Sequence, residues 1–166
     1  MILTAHILVG AAIGAKLGNP FLIVPAAYLS HILLDAFPHW EYSIDGLDER
    51  RYTKAFLHKI LKVFLDLAVG FSSVYFLARV VDPAILPFMA LGGFFGALPD
   101  GVTFLEWHTG SKVLHTINQF HRIIQVPNRL RKIKKPSLWI MDPESGGIVF
   151  EALAIAAALF IVLNLL

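Results

Sequence analysis

The stretch Leu29 to Trp40 reads LSHILLDAFPHW. His31 and Asp35 are four residues apart, so a helix sets them on one face about 6 Å from each other. An imidazole and a carboxylate at that spacing suit one metal ion or a neighbouring pair of ions. His39 follows Pro38, which ends the helix and turns the chain back across its mouth. Two plainer readings stand beside this one. The His31–Asp35 pair also serves as a hydrogen bond between packed helices, and His39 beside Trp40 and Tyr42 also reads as an interfacial residue. The chain has no cysteine, so a metal site here must use His, Asp and Glu, a set that suits zinc, manganese or iron.

The elements that must carry these residues are strongly apolar. Of 166 residues, 57% are hydrophobic and 16% charged, against roughly 45–50% and about 25% in soluble domains. Mean hydropathy is +0.68, and the apolar residues fall in long blocks, as in membrane spans. We expect an all-α polytopic bundle of about five spans forming a single integral membrane domain over 1–166, with no cleaved signal peptide. The segments are Ile2 to Gly18, Pro20 to Ala36, Ile60 to Val81, Pro83 to Leu98 and Gly147 to Leu166. The turn signal LGNP separates the first two, and both are short against the roughly 20 residues a bilayer needs. The intervening stretches 37–59 and 99–146 read as loops. They hold Arg50, Arg51, Lys54 and Lys59, then Lys112, Arg122, Arg129, Arg131, Lys132, Lys134 and Lys135, whereas Lys16 and Arg79 mark the other side. The positive-inside rule makes the loaded side cytoplasmic, with the N-terminus inside and the C-terminus outside, in a cytoplasmic membrane.

That topology brings the polar residues to one depth. His6, His31, Asp35, His39, Asp66, Asp100 and Glu151 all fall toward the cytoplasmic ends of their segments. Asp100 lies in GALPDG, where Pro99 and Gly101 read as a helix break that presents a ligand, an ordinary turn aspartate being the rival. Asp66 has Lys59 and Lys62 nearby for an ion pair, and Glu151 is costly in its apolar helix unless paired or ligating. SKVLHTINQFHRIIQV sets Val113, Ile117, Phe120 and Ile124 at helical spacing, which predicts an amphipathic helix lying on the membrane. His115 and His121 point about 120° apart on such a helix. We prefer His121 for the site, because Arg122 follows it and suits a phosphate. The RLRKIKK run fits anionic headgroups and topology; no nucleic acid is expected. Gly92 and Gly96 form a small-xxx-small pattern for close helix packing. No GxSxG, P-loop or dinucleotide fingerprint is present.

The pieces TAHILVG, YLSHILLDAFPHW and GALPDG resemble the small membrane-bound metal-dependent hydrolases of bacteria first noticed as LexA-regulated. That family is in turn similar to the all-helical zinc-dependent phospholipase C fold, where an HxxxD pair and further histidines hold a zinc cluster. By this resemblance His31 and Asp35 match the HxxxD pair, Asp100 the LPD aspartate, His6 the early histidine and His121-Arg122 an HR motif. The LPD turn follows the LSHxLxD helix here, and Val126 stands where a second histidine would follow His121. The number of metals, from one to three, stays open.

The expected function is therefore hydrolysis of a phosphoester, of a lipid given the depth of the site. His6, His31, Asp35, Asp100 and His121 would be metal ligands, zinc first with manganese or iron as alternatives. His39 or Glu151 would complete the site or act as general base, and Arg122 would steady phosphate charge. The rivals are a proton- or metal-ion-coupled transporter and a non-catalytic membrane scaffold. The native substrate and oligomeric state are not legible.

Overall fold

A computed structural model of the chain describes residues 2–37, 39, 54–119, 121 and 143–165. All regular structure among them is helical, as the composition implies. In chain order the helices are α1 (Leu3–Leu17), α2 (Pro20–Asp35), α3 (Lys54–Val81), α4 (Leu86–Thr109), α5 (112–119, resuming at 121) and α6 (Pro143–Leu163); a 3-10 turn, Pro83–Ile85, leads into α4.

The sequence signals that stop and start these helices work locally. LGNP does so twice over: Gly18 takes a left-handed φ of 59° that closes α1, and the Asn19 side chain accepts the N–H of Phe21 at 3.0 Å to open α2. In VDP, Asp82 accepts from Ala84 N at 2.8 Å, and Gly110, at φ 67°, ends α4.

Helix α1 is the axle, packing against α2, α3, α4 and α6. Its contact with α4 is backbone against backbone. A Cβ at Gly10 would overlap the carbonyl of Gly92, one at Gly92 would overlap that of Gly10, and one at Gly14 would overlap that of Phe88. The small-residue spacing of Gly92 and Gly96 is thus matched by glycines on α1, which lets two helices approach to van der Waals contact of their main chains. Around this seam Leu3, Ile7, Leu8, Ala11, Val74, Ala78, Met89, Ala158 and Val162 form the apolar core.

The outer surface is apolar as well. Phe21 is 88% exposed, and Leu33, Phe64, Phe76, Val80, Leu153 and Phe160 are also bare. Phe56–Val81 and Pro83–Thr109 are long and apolar enough to cross a membrane. The first of these shows only 11% of its most apolar window to the protein interior, whereas the core helix of a soluble protein would be mostly covered. The apolar helices Leu3–Leu17, Pro20–Asp35 and Gly147–Leu163 are shorter.

Two expectations about element boundaries need correction. Pro99 and Gly101 do not break α4, which continues through them to Thr109. A proline costs a helix one bond, and an apolar surround leaves the remaining backbone groups no alternative to internal pairing. Likewise α3 begins at Lys54 rather than Ile60. Both helices therefore reach beyond the apolar blocks, and the extra turns of α4 carry part of the site.

The N-terminus of α1 is held by carboxylates from two other helices. Asp66 on α3 accepts the N–H groups of Leu3 at 2.7 Å and Thr4 at 3.0 Å, and Glu151 on α6 accepts that of Ile2 at 2.7 Å. These are the orphan donors of a helix start, and negative charge there also suits the helix dipole.

Candidate metal centre

Three helices bring four ligand residues to a single point. Asp35 ends α2, His31 lies one turn before it, Asp100 sits on α4, and His121 comes from α5. Ligand atoms of these four residues all lie within 4.8 Å of one another. His31 Nε2 is 3.2 Å from Asp35 Oδ2, His121 Nε2 is 2.9 Å from the same oxygen, and the two nitrogens are 3.2 Å apart. Donors bound at about 2.0–2.1 Å in a tetrahedral site stand about 3.3 Å from each other, so this triangle has the size that a small divalent cation requires. Asp100 Oδ1 is 3.7 Å from His31 Nε2.

The far side of each ring is tied back to the protein. His31 Nδ1 is 2.7 Å from the Gly96 carbonyl and donates to it. His121 Nδ1 lies 3.3 Å from Asn118 Oδ1 and 3.4 Å from Thr103 Oγ1. Histidines that bind a metal through Nε2 are commonly tied back through Nδ1 in this way. These ties are what separates this cluster from a chance meeting of polar groups.

His6 stacks on His31 with centroids 3.9 Å apart and planes at 25°. Its Nε2 is 3.2 Å from Asp35 Oδ1, and among the described residues neither ring nitrogen has a hydrogen-bond partner although the residue is fully buried. A buried imidazole left so is costly unless a nitrogen binds something else. His39 Nε2 stands 3.9 Å from the same Oδ1. The two oxygens of Asp35 thus face two groups: Oδ2 toward His31 and His121, Oδ1 toward His6 and His39.

His6, His31, Asp35, His39, Asp100 and His121 are therefore brought together. Glu151 instead spends one oxygen on the start of α1. Arg122, Trp40, Tyr42 and the basic run 129–135 lie outside the described residues. Of the predicted amphipathic stripe, Val113 and Ile117 are exposed while Asn118 and His121 are buried, so α5 turns its polar face inward and its apolar face out.

The sequence reading missed Thr103, Glu106 and Asn118, all buried within reach of His121. Asn118 precedes His121 by three residues and so shares its helix face, a signal that was available. Glu106 and Thr103 were hidden by reading a loop where α4 continues. Access is from the Asp100 side, since that side chain is 33% exposed while His31, Asp35 and His121 are closed off. No protein family, curated protein or solved structure matches this chain.

Proposed function

We propose that this is a membrane-embedded, metal-dependent hydrolase acting on a phosphoester. The observation that carries the reading is the triangle of His31 Nε2, His121 Nε2 and Asp35 Oδ2, with both histidines tied back through Nδ1. The bare apolar surface supports a bundle of five crossings, the three shorter helices included, with the centre at the cytoplasmic face where the basic residues cluster. A centre at that depth meets lipid headgroups, which favours a lipid phosphoester.

His31, His121, Asp35 and Asp100 would hold the first ion, zinc by the size and donor set of the site. Asp35 Oδ1, His6 and His39 would hold a second, with the Asp35 carboxylate as bridge. A bound divalent ion supplies water with its pKa lowered from about 15.7 to about 7 and polarises a phosphoryl oxygen. Asp100 has a side chain 33% exposed, so of these ligand residues it would stand nearest an incoming phosphoester. A transport path would need polar groups along the rest of the bundle. Beyond His6, the buried residues of α1 among those described are Ile7, Leu8, Gly10, Ala11, Ala12 and Gly14, which offer none.

The test is elemental analysis of detergent-purified protein beside a His31→Ala/Asp35→Ala variant, followed by assays on phosphomonoester and phosphodiester lipids. Stoichiometric zinc, manganese or iron that disappears in the variant, with release of phosphate or headgroup by the wild type, is the expected result. A folded wild type that takes up no metal on reconstitution sinks the reading.

A further inference from the structure

Behind His121, away from the ion-facing side, lies a set of buried polar groups that hydrolysis does not use. Thr103 and Glu106 on α4 and Asn118 on α5 are 8%, 6% and 2% exposed. Polar groups taken from water at this cost need partners, and theirs are one another. Glu106 Oε2 accepts from Asn118 Nδ2 at 2.7 Å, and Glu106 Oε1 is 2.7 Å from Nδ1 of His115, whose ring reaches the surface. Both carboxylate oxygens are thereby engaged.

This settles which way the amide faces. A carboxylate can only accept, so the Asn118 nitrogen must turn toward Glu106 and its oxygen must turn away. That oxygen lies 3.3 Å from His121 Nδ1 and 3.1 Å from the Thr103 hydroxyl, which is itself 3.0 Å from the Pro99 carbonyl. An amide oxygen can only accept, so the ring nitrogen that faces it bonds to it only when it carries the proton. We propose that Asn118, oriented by Glu106, is a positioning residue that fixes the His121 proton on Nδ1 and keeps Nε2 turned, bare, toward a cation. The cation belongs to the function proposed above; in its absence Asp35 Oδ2, 2.9 Å from Nε2, competes for the proton, and the proposal is that Asn118 holds it on Nδ1. The Glu106–Asn118 bond also spans α4 and α5, so one contact docks the helix that brings His121 and selects its tautomer.

The experiment is nitrogen NMR of full-length, histidine-labelled protein in detergent, zinc-free and at mildly alkaline pH where free imidazole is neutral. The His121 signals are assigned by their loss in His121→Ala. Zinc affinity is then measured on the same preparations by competition with a chelator. Wild type should show a protonated Nδ1. In Asn118→Leu the proton should leave Nδ1 for Nε2, against Asp35, and zinc should bind about 10–100-fold more weakly. Asn118→Asp alone sets two carboxylates face to face and should also weaken zinc binding. Glu106→Gln/Asn118→Asp reverses donor and acceptor across the pair yet keeps an oxygen on His121, so it should recover affinity to within a few-fold of wild type. A merely structural role of the α4–α5 contact predicts the same recovery but leaves the His121 proton where it was in Asn118→Leu, so the NMR reading separates the two. A bare Nδ1 in wild type, a proton unmoved by Asn118→Leu, or a double variant as weak as Asn118→Asp overturns the proposal. Should Asn118→Leu fail to fold, Asn118→Ala gives the same NMR comparison. If wild type binds no zinc while the proton moves as stated, the metal reading fails and the positioning claim stands.

Discussion

His31 and His121 are 90 residues apart in the chain, and their Nε2 atoms stand 3.2 Å apart. Each ring gives its Nδ1 to an acceptor on the protein, so two lone pairs face each other across a gap that also admits an Asp35 oxygen. Lone pairs so placed repel unless something positive lies between them. A metal ion is the answer this geometry favours, and a shared proton is the alternative.

Replacing either imidazole separates the two. His31→Ala and His121→Ala each remove a ligand from the first ion, and Asp35→Asn removes the charge that both ions would share. Each should lose more zinc affinity than the roughly 10–100-fold typical of an outer hydrogen-bond partner, with Asp35→Asn the most severe because it touches both groups of ligands. His6→Ala should halve the metal content and leave the ion at His31 and His121 in place. Elemental analysis across the four variants reads this directly. Equal metal in wild type and His6→Ala would argue for a single ion.

Acid should empty the site. Imidazole must be neutral to bind, and free imidazole takes up a proton near pH 6.5. Protons and metal therefore compete for the same ring nitrogens, so zinc affinity should fall as the pH is lowered and level off where the ligands are neutral. Isothermal titration in buffers of different ionisation enthalpy would count the protons released. Zinc affinity that stays flat into strongly acid solution would mean that the histidines are not ligands.

How much of this was legible in the sequence depends on the residue. His31 and Asp35 announce themselves because two polar groups at i, i+4 on an apolar helix are costly unless they bind something together. His6 and Asp100 were reachable through common depth, which the arrangement of basic residues supplied. The extension of α4 was not, since proline and glycine at 99 and 101 carry the same local signal whether the surround is water or an apolar bundle. Only in the latter does the helix run on, and with that error went Thr103 and Glu106. From sequence Asp66 read as an ion-pair partner for Lys59 and Lys62, and Glu151 as a group that could complete the site. Their shared task at the start of α1 needs the packing of three helices to be seen.

Gly96 connects the fold to the site and gives a sharp test of that coupling. A Cβ there would sit 2.5 Å from the His6 carbonyl oxygen, while the Gly96 carbonyl itself holds His31. Gly96→Ala should cost about 1–3 kcal/mol through overpacking and weaken metal binding too, because α1 and α4 cannot separate without moving both histidines. Gly101→Ala, five residues on in the same helix with open space at its Cα, should stabilise by about 0.5–1 kcal/mol and leave the metal alone. Thermal unfolding of both variants with and without zinc distinguishes them.

The caps on α1 should behave in the opposite way, changing stability before they change the site. Asp66 satisfies the N–H groups of Leu3 and Thr4, and Glu151 that of Ile2, at a helix start with no side-chain cap of its own in the chain before it. Asp66→Ala should therefore destabilise by about 1–2 kcal/mol, as loss of a good cap does, and Glu151→Gln by less, since its amide oxygen still accepts from Ile2. Zinc affinity of the folded protein should stay within a few-fold of wild type in both, since the first ion's ligands come from α2, α4 and α5 and not from α1. His6 rides on α1 one turn from these caps, so any loss of metal should fall on the second ion alone. Metal content measured on the folded fraction of each variant checks this, and loss of both ions from Glu151→Gln would make Glu151 part of the centre rather than a support for the helix that lines it.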